Sequence, residues 1–308
     1  MDARTASPNP SAQIRKAHRA GAVLALAAGI VCIGFSAIFV KLAAMPGPVS
    51  AFYRVLIAGV VLLPWWLAAR GPRPSWADAR VILAGGVFFA IDIGLWNTSL
   101  LLTSAATATL LANNAPLWVG LASLFLFREK LSRRYWLGLA VALAGTGVLM
   151  GSDAYRHLRL GPGNLLALVA GMFYASYILA TGRARARARV DLMSVTALST
   201  LASIVTLLVI NLAMGTALTG YPAKAWLALL GLGLISQLGG WLAINYALGH
   251  LRAAPVSVAL LAQVVVTAVV AMPLLGEFLR ASQLAGGALV LGGICLVTQD
   301  RAKPGPGK

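Results

Sequence analysis

Acidic residues are nearly missing from this chain: Asp2, Asp78, Asp92, Asp153, Asp191, Asp300, Glu129 and Glu277 stand against 25 Lys and Arg, a formal charge of +17. General acid and base work divided between two carboxylates needs two acids at one place. Asp92, deep in an apolar segment, has no second carboxylate at its depth. Histidine is as scarce, and His18, His157 and His250 lie apart in the tail and loops, so no HExxH-type cluster can be assembled. The two cysteines, Cys32 and Cys295, sit far apart in apolar stretches, which argues against a disulfide framework or a thiolate metal site and leaves them as small packing residues. A GxxxxGK(S/T) phosphate loop is also missing, so gradients rather than ATP are the expected energy source. No enzyme, catalytic residue, metal or cofactor is expected.

What the chain has in excess is apolar surface: 59% of its residues are hydrophobic and 11% charged, with a mean hydropathy of +0.84. A soluble domain cannot carry that balance. The basic excess raises nucleic acid as a partner, but such binding gathers Lys and Arg on one exposed face. Here they fall in short runs between apolar stretches, so membrane lipid is the expected partner and nucleic acid is not.

A spanning helix needs roughly 20 apolar residues. Cut at Pro, Gly and charge clusters, the sequence yields segments near 21–44, 48–68, 80–102, 104–127 and 133–151, then 162–182, 190–212, 224–249, 252–275 and 280–299. The predicted fold is an all-α integral membrane protein of ten transmembrane helices. Residues 1–20 and 300–308 are read as cytoplasmic tails, and 21–151 and 162–299 as two five-helix units.

Lys and Arg mark the cytoplasmic loops. With the N-terminus inside, nearly all of them fall on one side, including the run Arg183, Arg185, Arg187 and Arg189; the outer loops keep only Arg156, Arg159, Lys224 and Arg280. The run should anchor topology by attracting anionic headgroups, at about 1 kcal/mol per residue. Both termini are therefore expected in the cytoplasm, with the protein multi-pass in the cytoplasmic (inner) membrane.

A shift of 148 positions places Asn97 on Asn245, Glu129 on Glu277, Gly138 on Gly286 and Gly145 on Gly293 without a gap. Matches of Asn and Glu are informative in so apolar a chain. Each unit has an odd number of helices, so the second enters the membrane from the opposite side and the repeats are inverted. That architecture suits alternating access about a central site.

The residues also resemble a known family, the drug/metabolite transporter superfamily and its ten-helix branch of duplicated EamA domains. The resemblance rests on Gly34, Ser36, Lys41, Arg54, the run TSAATATLLANNAPLW with Pro116, and Glu129-Lys130-Leu131. In the second half it rests on LRAAPVSVALLAQVVV and Glu277-Phe278-Leu279. It implies a secondary transporter of small metabolites, an exporter of amino acids or related compounds, with substrate held between the halves. An uptake carrier for sugars or nucleotide-sugars is the alternative within transporters, and a passive channel the alternative outside them. Val264 stands where the family often has a second proline, so the ninth helix is expected to be straighter than the fourth.

Among candidate site residues, Asp92 lies near the bilayer midplane, where an ionisable side chain marks function by default. It either binds a proton or a substrate ammonium, or forms a structural pair with Arg54 or Lys41. Arg54 and Lys41 are long enough to snorkel instead. Asn113, Asn114, Gln237 and Gln263 are mid-helix amides that either contact substrate or join helices. Trp96, Tyr174 and Tyr177 are the aromatic candidates named with them, while Asn97 and Asn245 are read as a matched structural pair. The expected partners are a small-molecule substrate, lipid and, if coupling uses Asp92, protons. Monomer and homodimer are both compatible with the sequence.

Overall fold

The computed structural model describes residues 10–69, 73–103, 105–151, 155, 161–187, 190–275 and 280–299. Those residues form helices and no strand. In chain order the helices are α1 (Pro10–Gly34), α2 (Ser36–Ala43), α3 (Gly47–Ala68), α4 (Trp76–Leu102), α5 (Ala105–Ala112), α6 (Ala115–Phe125) and α7 (Arg133–Met150). The second half has α8 (Pro162–Ala186), α9 (Leu192–Ala213), α10 (Ala223–Gly231), a π-helical segment (Leu232–Gly240), α11 (Trp241–Leu248), α12 (Ala253–Ala259), α13 (Ala262–Leu275) and α14 (Ala281–Thr298).

Among the described residues, nine stretches are long and apolar enough to cross a membrane: Arg19–Ala43, Gly47–Ala68, Trp76–Ser99, Thr107–Phe125, Pro162–Ala186, Leu192–Ala213, Ala223–Leu248, Ala253–Leu274 and Ala281–Thr298. α7, with 18 residues, lies along α14. Apolar side chains cover the outside, with Leu24 71%, Val60 66% and Leu227 69% exposed. Water would penalise a surface of that extent, whereas a bilayer does not. The protein is a multi-pass membrane protein.

Helix starts follow from short-range chemistry. Ser75, Ser132 and Asp191 each take the N-cap position and accept a hydrogen bond from the backbone N–H three residues on, satisfying donors that a helix leaves orphaned. α3, α6 and α8 instead begin with proline in the first turn, where its missing N–H costs nothing.

Between helices, close approach depends on small residues, because lipid gives no hydrophobic drive for association. A Cβ at Gly145 would stand 2.8 Å from the Gly286 carbonyl oxygen, and one at Gly138 would stand 2.7 Å from that of Gly293. α7 and α14 therefore run backbone against backbone. α4 packs along α8 and α9, and α1 packs along the π segment and α11. Ser203 Oγ donates to the Gly86 carbonyl at 2.8 Å, joining α9 to α4.

Two of the spans are broken. α5 and α6 are separated by a turn at Asn113 and Asn114, ahead of Pro116. α12 and α13 are separated by a turn at Leu260 and Leu261 although no proline follows at once. The expectation of a straighter ninth helix is thus corrected: i→i+3 bonds from Gln263 N to Leu260 O and from Val264 N to Leu261 O, each 3.1 Å, tighten that turn. The break falls at Leu261, which a shift of 148 pairs with Asn113, and it forms there without a proline.

Several residues named from the sequence lie outside the described part: Glu277, Phe278 and Leu279, the linker residues Arg156, His157 and Arg159, Arg189, and the tails 1–9 and 300–308.

Candidate functional site

A cavity of about 520 Å³ lies where the two halves meet, within the range of small-molecule sites. It runs from the middle of the helices to the ends that carry Lys41, Met150 and Gln283. From the first half come Ser36, Lys41, Arg54, Asp92, Trp96 and Asn113; from the second come Tyr174, Trp241, Gln263 and Thr267. Both helix breaks therefore reach it, through Asn113 at one and Gln263 just past the other.

Charge is concentrated at its depth. Arg54 is 7% exposed and Asp92 8%. The Arg54 guanidinium donates from Nε to Gln237 Oε1 at 2.6 Å and stands 5.7 Å from the Phe89 ring centroid. Gln237 does not line the cavity itself; it sits in the π segment, whose wider turn sets it against Arg54. π segments recur at functional positions. Among the described residues the Asp92 carboxylate makes no ion pair with Arg54 within 4 Å and shows no hydrogen bond. Arg54 is hydrogen-bonded to Gln237 and attracts Asp92 at longer range than a direct ion pair, and both line the cavity.

The floor is aromatic. Trp241 packs edge-on against Phe89 at 5.0 Å, Tyr177 at 5.0 Å and Tyr174 at 5.8 Å. Above the floor, Gln263 Nε2 donates to Asn113 Oδ1 at 3.5 Å, and Thr267 Oγ1 donates to the Gly34 carbonyl at 2.6 Å. The walls thus combine one buried cation, one buried anion, a pair of amides and aromatic faces. That set can hold a small molecule carrying both charges. No group of three or more His, Cys, Asp or Glu able to hold a metal occurs among the described residues.

Seven of the residues singled out from sequence line this cavity: Lys41, Arg54, Asp92, Trp96, Asn113, Tyr174 and Gln263. Gln237 touches it only through Arg54. Two lie elsewhere. Tyr177 is one turn below Tyr174, beneath Trp241, where its hydroxyl donates to Asn245 Oδ1 at 3.3 Å. Asn114 turns toward α8 at the helix break, with Nδ2 on the Leu111 carbonyl and its Oδ1 against Gly171. Phe89, Thr109, Thr267 and Gln283 line the cavity without having been singled out; Phe89 and Gln283 carried no signal that separates them from ordinary helix residues.

Asn97 and Asn245 brace equivalent places. Asn97 Nδ2 donates to the Gly47 carbonyl at 2.9 Å and to Ser50 Oγ at 3.2 Å, at the start of α3. Asn245 Nδ2 donates to Thr196 Oγ1 at 3.2 Å, at the start of α9.

Comparison with known proteins fixes the class. A family model described as the EamA-like transporter family matches residues 19–151 and 161–299. The chain belongs to that family, and so to membrane transporters of the drug/metabolite superfamily. The chain is similar to the uncharacterized transporter YdfC of Bacillus subtilis (strain 168), 24% identical over 246 residues, covering 80% of this chain and 79% of that one. It is also similar to the uncharacterized transporter YetK of the same organism, 31% identical over 132 residues, covering 41% and 39%. A solved crystal structure superimposes with a TM-score of 0.77 at 23% identity, covering 91% of this chain and 96% of its own, a likeness of fold.

Proposed function

We propose that this EamA-family transporter is a ten-span, inverted-repeat secondary carrier that exports amino acids or related small zwitterions across the cytoplasmic membrane by alternating access. The carrying observation is the cavity between the halves in which Arg54 and Asp92 are both buried and both face the space. A substrate carboxylate pairs with Arg54, held in place by Gln237. Its ammonium pairs with Asp92, and Asn113, Gln263 and the aromatic walls hold the remainder. When the site is empty, Asp92 takes a proton, which couples transport to a proton gradient. A sugar would use the amides and rings but leave both charges without a complement, and a passive pore would gain nothing from a cavity floored by packed rings.

Inverted symmetry is supported by a reciprocity in the glycine contacts. The shift of 148 carries Gly138 to Gly286 and Gly145 to Gly293. Across α7 and α14, Gly138 meets Gly293 and Gly145 meets Gly286, the crossed pairing that a two-fold axis produces. Positive charge on the loops supports cytoplasmic termini, which makes the Lys41 end of the cavity the outer one; export, and amino acids as cargo, rest on the resemblance and on the charge pair.

The test is binding of labelled amino acids to the purified protein in detergent, with displacement by unlabelled compounds. The expected result is binding that requires both the carboxylate and the amine of the ligand. Equal displacement by sugars, or binding indifferent to the amine, would overturn the zwitterion reading.

A further inference from the structure

The two halves differ at one hydroxyl, and that difference bears on which side of the protein rests closed. In the first span, GAVLALAAG at 21–29 repeats in the sixth as GNLLALVAG at 163–171, an offset of 142 that also aligns Lys41 with Arg183. The two family matches begin at 19 and 161, the same offset. On that register the counterpart of Tyr177 is Phe35.

Their neighbours are matched as well. Asn245 and Asn97 are equivalent by the shift of 148, and each donates its amide N–H to the first turns of the preceding span. Their carbonyl oxygens part company. Asn245 Oδ1 accepts the Tyr177 hydroxyl, whereas Asn97 Oδ1 is buried and has no hydrogen-bond partner among the described residues. The gates differ in the same sense. α8 packs on α11 where Tyr177 meets Asn245, while α2 and α4, through Lys41, Ser36, Asp92 and Trp96, face each other across the cavity.

We propose that Tyr177 and Asn245 form the latch of the Arg183-side gate, and that the lack of a hydroxyl at Phe35 leaves the Lys41-side gate without one, so that the resting protein is open toward Lys41. This rests on the alternating-access reading. When the protein switches, α2 closes on α4, and Asn97 Oδ1 then faces Phe35, which has nothing to donate. Asn97 Oδ1 is already unpaired in the present state, so closing that gate gains no bond to replace the Tyr177–Asn245 bond lost at the other. The hydroxyl at one gate without its match at the other therefore favours the present state.

The experiment uses the full chain in membrane vesicles with Cys32 and Cys295 replaced by alanine. Single reporters are placed at Ala37→Cys, which lines the cavity, and at its counterpart Leu179→Cys, and a membrane-impermeant maleimide is added from the matching side. One neutral hydrogen bond shifts a two-state balance by about fivefold. Tyr177→Phe is expected to raise Leu179→Cys labelling about fivefold, and Phe35→Tyr to raise it by a similar factor only while Asn97 is present. Adding Phe35→Tyr to Tyr177→Phe should raise it further and slow Ala37→Cys. A purely structural Tyr177 would change thermal stability and leave the two reporters in step. Ala268→Trp, wedged into the cavity, serves as the control for alternation and should lower Leu179→Cys labelling. If it does so while Tyr177→Phe and Phe35→Tyr move neither reporter, the latch is wrong and alternating access stands. If no variant moves the reporters in opposite directions, both are wrong.

Discussion

Replacing Asp92 with asparagine keeps the shape of the side chain and removes only its charge. The carboxylate shows no hydrogen bond or ion pair within 4 Å among the described residues, so the substitution removes only its longer-range attraction to Arg54, which keeps its bond to Gln237. The effect should therefore fall on the ligand. An ammonium about 4 Å from a carboxylate gains about 4 kcal/mol at the effective dielectric of protein sites. Part of that is lost in stripping water from the ammonium, and a net of about 2 kcal/mol is a reasonable expectation. That corresponds to roughly a 30-fold rise in the half-saturating concentration of an amino acid. The matched analogue without its amine should compete equally well, or better, against Asp92→Asn. The assay is competition for labelled substrate in proteoliposomes at one fixed pH. Equal weakening toward the amine-free analogue would refute the reasoning, since it would place Asp92 in the architecture of the cavity and not against the ammonium.

Other outcomes follow from separate parts of the structure. Gln237→Leu releases Arg54 Nε from its 2.6 Å partner and should weaken carboxylate binding about tenfold, a loss of one charge-assisted bond, read from the same competition curves; unchanged binding would show that Arg54 needs no support. Gly145→Val places a side chain where even a Cβ would stand 2.8 Å from the Gly286 oxygen, and should lower the melting temperature in detergent by several degrees; an unchanged melt would mean that α7 and α14 are not in close contact. Arg187→Ala breaks the ion pair with Asp78, but the Arg187 side chain is 53% exposed, so stability should change by less than about 1 kcal/mol. A pH gradient should drive transport by the parent protein and fail to drive Asp92→Asn; gradient-independent rates in both would remove proton coupling.

The spans were legible because a bilayer demands about 20 apolar residues in a row and the chain marks the ends with charge and proline. The cavity was legible in good part for the same reason: polar side chains such as Asp92, Arg54, Asn113 and Gln263 stand out against an apolar background and have nowhere to go but inward. What the sequence could not show was angle and depth. Tyr177 is one turn from Tyr174, yet that turn carries it under Trp241 and onto Asn245. Asn114 follows Asn113 directly, yet the intervening break turns it to α8. The break between α12 and α13 was invisible because it carries no proline, and the π segment because a wider turn leaves no mark in residue type. Gln237 was recognised as a buried amide, but its partner lies 183 positions away, a pairing that only the folded chain reveals.

The most direct test of the account is counterflow in liposomes: purified protein, an interior loaded with one unlabelled amino acid, and labelled amino acid outside at trace concentration. An alternating-access carrier should accumulate label transiently above its equilibrium level, and only when the interior holds a competent zwitterion. Label that equilibrates at the same rate whatever the interior contains would contradict the central claim and point to a pore.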